Sequence, residues 1–289
     1  MKKTYSLADY APLIASMCIF GTIGIFRKYI DLPSTFISLS RAVTGTVFLV
    51  ILVALTGKRI DLVSIKRNLK WLILSSAAMG FNWIFLFEAY NFTTVTTATL
   101  CYYMAPSIMV LASHFLFKER LTLKKGICVL VAFLGMVLIS GVLKSQLPTA
   151  DEIKGILFGL AAAILYATVI LVNKKMDIPS AYDKTIFQLG IAGLVLLPYT
   201  WMVGDLSALS FEPLGMILLL AVGIVHTGFA YALYFGSVGN LPTQTVALFS
   251  YIDPILAILL SALILGEPLG ISEILGSAMI LGAAYISEK

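Results

Sequence analysis

Residues 96–121 read TTATLCYYMAPSIMVLASHFLFKERL, and 148 positions further on residues 244–269 read QTVALFSYIDPILAILLSALILGEPL. The two stretches agree at Thr97 and Thr245, Leu100 and Leu248, Tyr103 and Tyr251, Pro106 and Pro254, and Glu119 and Glu267. Shared apolarity alone does not give so regular a match. A shift of 146 also lays KYIDLPS (28–34) over KKMDIPS (174–180), which carries the correspondence towards the first helix of each half. The chain therefore reads as a duplicated unit, residues 1–145 and 146–289.

Of the 289 residues 60% are hydrophobic and 12% charged, with a mean hydropathy of +0.98, which is the composition of an integral membrane protein. A hydrocarbon core of roughly 30 Å needs about 20 apolar residues per helix. Cutting the chain at its charged and turn-rich breaks leaves ten such segments, near 8–27, 34–56, 70–90, 93–115, 123–142, 154–173, 182–204, 213–235, 241–265 and 270–287. Connections such as NFTT (91–94) and GNLP (239–242) are too short to hold a folded domain, and no soluble domain is expected at either end. The fold expected is an all-α polytopic membrane protein, with ten transmembrane helices arranged as two inverted five-helix repeats. Five is odd, so the second copy enters the membrane from the side opposite to the first. Two oppositely oriented halves that rock about a shared midplane site are a transporter signature.

These residues resemble a known family. A Pro in the fourth helix, a closing LFKERLT or LGEPLGIS and a glycine-bearing fifth helix, all present twice, are similar to the EamA-type branch of the drug/metabolite transporter superfamily. Arg41, early in the second helix (ISLSRAVTG, 37–45), fits the same resemblance. The resemblance spans nearly the whole chain and implies a secondary transporter, with export the expected direction. It does not name the cargo, because related members move amino acids, amines, nucleotide-sugars and other metabolites.

With the N-terminus inside, the cytoplasmic segments hold fifteen Lys and Arg residues, and the outer segments hold four: Arg27, Lys28, Lys144 and Lys154. This positive-inside bias places both termini in the cytoplasm of a multi-pass protein of the cell (inner or plasma) membrane. It also accounts for the net charge of +5 without a nucleic-acid partner. Cys18, Cys101 and Cys128 all fall within apolar segments, so no disulfide framework is expected. MKK followed by an apolar run reads as the first retained helix rather than a cleaved leader. The sequence contains no Walker loop, HExxH, nucleophile elbow or Cys/His metal spacing. An enzyme is therefore not expected, nor a cofactor or metal, and transport must draw on an ion or solute gradient.

The polar groups inside the spans are the site candidates. Asp253 lies about a dozen residues from either end of the ninth segment, where an acid costs about 2.5 to 3.5 kcal/mol on the mildest scale. Thr243, Val246, Ser250, Asp253, Ala257 and Ser261 share one helical stripe, read as facing a cavity rather than lipid. Pro254 frees the carbonyl of Ser250, as Pro106 frees that of Tyr102. Asp253 corresponds to Ala105 in the first copy, and this asymmetry favours a functional acid over one that is merely protonated or paired with a neighbouring helix.

His226 shares a small-residue face with Gly223 and Ala230. Its unperturbed pKa of about 6.5 suits a proton-coupled step, and an interhelical hydrogen bond suits it equally. Arg41 lies roughly 12 Å below the outer end of its helix. It either pairs with Glu88 or with backbone carbonyls, or it holds a substrate carboxylate. Asn82, Trp83, Tyr102, Tyr103 and Tyr251 lie deep enough to line an amphipathic cavity, and packing is the other role open to each. The expected substrate-binding set is Asp253, Trp83, Asn82, Tyr102, Tyr103, Tyr251 and Arg41, with Asp253, His226 and Glu88 as coupling groups. Glu119 and Glu267 are read as a duplicated structural turn. The faces Gly155-x-x-x-Gly159, Ser272-x-x-x-Gly276 and Ala278-x-x-x-Gly282 admit packing within the chain or a homodimer.

With two acids and one fixed cation in the interior, phosphorylated cargo is disfavoured. The function expected is a secondary transporter of a small amino-bearing metabolite such as an amino acid, coupled to protons. The alternative is a carrier of choline-like or other organic cations. A channel and an intramembrane enzyme are the remaining classes. The partners expected are the small-molecule substrate and membrane lipid.

Overall fold

In lipid a backbone amide has no water to turn to, so an apolar chain of this length must satisfy itself by helix. The computed structural model describes residues 7–57, 60–117, 122–139, 148–173, 175–203, 212–238, 241 and 249–288, and among these the regular structure is helical. The first half contains α1 (Leu7–Gly21), α2 (Ile23–Lys28), α3 (Ser34–Leu55), a short α4 (Leu62–Arg67), α5 (Leu69–Phe92), α6 (Val95–Tyr102), α7 (Ala105–Phe117) and α8 (Leu123–Ile139). The second contains α9 (Ala150–Asn173), α10 (Ala181–Val203), α11 (Pro213–Ala221), a π-helical turn over Val222–Phe229, α12 (Ala230–Val238), α13 (Ile252–Leu265) and α14 (Ile271–Glu288).

Each of the ten expected segments is occupied by one of these helices or by a broken pair. Among the described residues seven spans are long and apolar enough to cross a membrane, and α13 and α14 are shorter apolar helices. The protein is an all-α polytopic membrane protein. Trp201, at the end of α10, is 75% exposed, as expected of an interfacial ring, and Lys70 and Lys175 lie over Trp71 at 5.1 and 4.8 Å. The boundary at 145/146 and Glu119 lie outside the described residues.

Local chemistry accounts for the ends and breaks. Asp61 caps α4, accepting from the amides of Val63 and Ser64. Thr149 and Glu152 cap α9 reciprocally, each side chain accepting the other's amide at 3.2 and 2.7 Å. The fourth span breaks between Tyr102 and Ala105, just ahead of Pro106, where Met104 N–H falls back on the carbonyl of Cys101 at 3.1 Å. The first span breaks at Thr22, between α1 and α2. Gly266, at φ 66°, closes α13 in the left-handed region.

Helix pairing follows a pattern. α3 packs on α10, α8 on α14 and α6 on α13, so the second, fifth and fourth spans each meet their own counterpart in the other half. The contact of α5 with α9 is answered by that of α1 with α12, and the contact of α5 with α10 by that of α3 with the π turn. Exchanging the halves maps this contact set onto itself.

The small-residue faces are used within the chain. A Cβ on Gly155 would meet Thr93 at 2.7 Å, one on Gly159 would meet Cys101 at 2.8 Å, and Gly135 abuts the carbonyl of Gly276. The tightest approach is that of the π turn to α3, where a Cβ on Gly223 would collide with Thr44 Oγ1. Gly282, by contrast, has nothing within 4 Å. Gly223→Ala should therefore destabilise by about 1–3 kcal/mol through overpacking, whereas Gly282→Ala should leave stability unchanged or raise it. Thermal unfolding of the two variants in the same detergent checks the difference, and equal effects would contradict this packing.

Candidate functional site

Arg41 is 3% exposed in the middle of α3. Trp83 and Phe87, one turn apart on α5 and so on the same face, present their rings to it, with Cζ 4.3 and 5.3 Å from the centroids. Its Nε donates to Thr227 Oγ1 at 3.0 Å. Thr227 in turn donates to the carbonyl of Val222 at 3.1 Å, five residues back along the π turn. With its one hydrogen committed there, the hydroxyl meets Arg41 through a lone pair.

Neither expected partner of Arg41 is found. Glu88 lies near the outer end of α5, where it accepts from Asn91 Nδ2 at 3.3 Å, and among the described residues no backbone carbonyl bonds the guanidinium. Among the described residues Arg41 has no acidic partner at all. Glu88, expected as a coupling group, is thus away from Arg41 and forms no bond with Asp253 or His226.

Asp253 stands in the first turn of α13, and Tyr103 donates its phenol proton to Oδ2 at 2.9 Å. The α6–α7 break positions Tyr103 for this contact. Tyr102 lies edge-on to Tyr103 at 6.0 Å and tilted against Tyr166 of α9 at 5.3 Å. Tyr90 and Tyr102 pack in the same apolar cluster as Trp83 and Phe87, the rings under Arg41, and Tyr102 also meets Tyr103, so one aromatic cluster touches both the cationic pole and the acidic one. The stripe expected to follow Asp253 into a cavity turns into protein instead: Ala257 and Ser261 are buried, and Ser261 Oγ lies 2.8 Å from Thr96 Oγ1. Thr243 and Val246 lie outside the described residues.

His226 is 1% exposed on the π turn. Its Nε2 lies 2.8 Å from Thr22 Oγ1, and Phe26 packs edge-on at 4.6 Å. Thr22 gives its hydroxyl proton to the carbonyl of Ile19 at 2.7 Å, and His226 Nδ1 lies 3.4 Å from the carbonyl of Ala221, so each ring nitrogen faces an oxygen. His226 and Asp253 do not touch. They flank the same break in the first span, because Gly21 sits against the carbonyl of Asp253, where an added Cβ would come within 2.7 Å.

Two expected cavity residues are packed away. Asn82 is 2% exposed and donates Nδ2 to the carbonyl of Ala162 in α9 at 2.6 Å, so it locks α5 to α9 rather than lining an open space. Trp83 is 5% exposed and serves as the platform under Arg41. Tyr251 lies edge-on to Tyr285 of α14 at 6.0 Å. The sequence reading missed Thr22, Thr227 and Tyr90, whose only signal was a hydroxyl within an apolar run.

The Glu267 turn does what a structural turn should. Its carboxylate accepts the Val95 and Thr96 amides at the start of α6, at 2.7 and 3.1 Å. Asn82→Ala should cost about 1–2 kcal/mol while leaving the concentration dependence of any ligand response unchanged. Thermal unfolding with and without ligand measures both, and a changed ligand response would return Asn82 to the site.

The model of the EamA-like transporter family matches residues 10–141 and again residues 153–288. A Bacillus subtilis protein named "Uncharacterized transporter YxxF" is 31% identical over 256 residues, covering 88% of this chain and 81% of the relative. Protein RarD of Escherichia coli K12 is 24% identical, covering 89% of this chain and 86% of the relative. A solved crystal structure at 18% identity has the same fold, with a TM-score of 0.62 over 98% of this chain and 96% of that one.

Proposed function

Because the chain belongs to the EamA-like transporter family, we propose that it is a secondary active transporter, an exporter of small amino-bearing metabolites such as amino acids. The observation that carries this reading is the pairing of poles. Among the described residues Arg41, from the first half, has no acidic partner, while Asp253, from the second, is bonded by a neutral phenol, and one aromatic cluster touches both poles. A zwitterion neutralises both poles, its carboxylate at Arg41 and its ammonium at Asp253. A choline-like cation would leave the buried guanidinium unmatched, and a lone anion would leave the acid.

Alternating access then arises from the two repeats, 1–145 and 146–289, moving about the helix pairs they share. Asp253 and His226 hold the coupling protons on either side of the Gly21–Thr22 break. Both termini face the cytoplasm of the cell membrane, by the distribution of Lys and Arg.

The test is a thermal-shift screen of wild type and Asp253→Asn in detergent against amino acids, quaternary amines, polyamines and sugars at pH 5.5 and 7.5. Asn keeps an acceptor for Tyr103, so the variant should fold. A zwitterion at a hundred times its Kd should stabilise wild type by about 2.7 kcal/mol, and the variant should lose that response. If the two proteins respond alike, or if quaternary amines outperform amino acids, this reading fails.

A further inference from the structure

Two arginines are buried among the described residues, and they are satisfied in opposite ways. Arg27, 6% exposed at the end of α2, spends its outer nitrogens on the fold: Nη1 donates to the carbonyl of Ile30 at 2.7 Å and Nη2 to Ser34 Oγ at 3.2 Å. Its Nε is left sealed without a partner. Such an arginine ties a loop between helices. Arg41 is the reverse, with Nε bonded to Thr227 and neither η nitrogen bonded within the described residues, yet neither η nitrogen is among the sealed orphan atoms. Its outer nitrogens therefore open onto water-sized space.

A guanidinium offers two faces and an edge. Trp83 and Phe87 are stacked around Arg41, and Thr227 takes the inner N–H. The edge that remains is the pair of η nitrogens, whose parallel N–H groups match the two oxygens of a carboxylate. Holding a buried charge with unmet donors is costly unless a partner arrives to match it.

We propose that Thr227 is the positioning residue of a carboxylate fork, fixing Arg41 so that its two η nitrogens receive the substrate carboxylate bidentately. The inference rests on the zwitterion reading above and deepens it, since it makes the carboxylate the group that sets the preference for an amino acid over the corresponding amine. The π turn makes the arrangement possible. It lets Thr227 donate five residues back to Val222, which aims the lone pairs of the hydroxyl at α3. The glycines on both sides, Gly45 against Thr227 and Gly223 against Thr44, bring the two backbones close enough for the contact.

The experiment measures binding of the proteinogenic amino acids, and of the amines left when each loses its carboxylate, to purified wild type, Thr227→Val, Thr227→Ser and Arg41→Gln. Wild type should prefer the acid of each pair. Thr227→Val keeps the shape but removes the acceptor, so amino-acid affinity should fall by about tenfold to a hundredfold while the amines are unaffected and the preference collapses. Thr227→Ser should retain the preference. If Thr227→Val weakens acids and amines equally, or binds as wild type does while Arg41→Gln loses the acids, Thr227 does not position the fork and the inference is overturned. If wild type shows no preference for the acids, or Arg41→Gln retains it, the zwitterion reading itself fails.

Discussion

A hydrogen-bonding group inside a bilayer can be answered only from within the protein, and this one constraint shapes the packing of the chain. Asn82 reaches the backbone of α9, and Ser75, Asn173 and Gln188 close a triad that ties α5, α9 and α10 together. Thr96 meets Ser261, and Glu267 covers the open amides of α6. Each of these bonds joins separate elements, helix to helix or, for Glu267, the turn after α13 to α6, and each of them except Gln188 with Asn173 also joins one half of the chain to the other. The duplicated unit is thus held together by its polar groups as well as by its apolar surface. Arg41 stands out because it is buried among such groups and only partly answered.

Close approach is the second requirement, since a side-chain bond between helices works only where the backbones come near. Glycines supply it at α3 and the π turn, and at the contact of the first-span break with α13. There the chain brings Thr22 to His226 and Gly21 to Asp253 within one residue of each other. A broken helix suits such a place, because its freed backbone and hydroxyl groups can turn outward to neighbouring helices without further disruption.

Much of this could be read from the sequence, and what could not be read has a physical reason. The repeat, the ten apolar segments and the break ahead of Pro106 follow from spacing and from the missing amide of proline, both local properties. That Arg41, Asp253 and His226 stand within apolar segments also follows from local counting. Their partners do not: Thr227 is 186 residues from Arg41, Thr22 is 204 from His226, and Tyr103 is 150 from Asp253. Asn82 read as a cavity residue because its real partner is a backbone carbonyl, which leaves no mark in a sequence. Trp83 read the same way because nothing in its neighbourhood announces that a guanidinium will lie on its face. The π turn was invisible too, since a period-3.6 pattern assumes the winding that the turn departs from.

That turn has a consequence for how such a chain can change over time. Each of its wide rings encloses one residue more than an α-helical ring does. Losing a single residue between Val222 and Phe229 would let ordinary winding resume and would improve the local bonding. It would also change the twist carried across the turn and shift α12 about its axis, moving Tyr231 and Tyr234 relative to Phe20, which they now meet at 5.6 and 6.4 Å. Point replacements can be absorbed along most of this span, but a deletion is a change of phase for half a helix. Chain length here is held under a tighter constraint than residue identity.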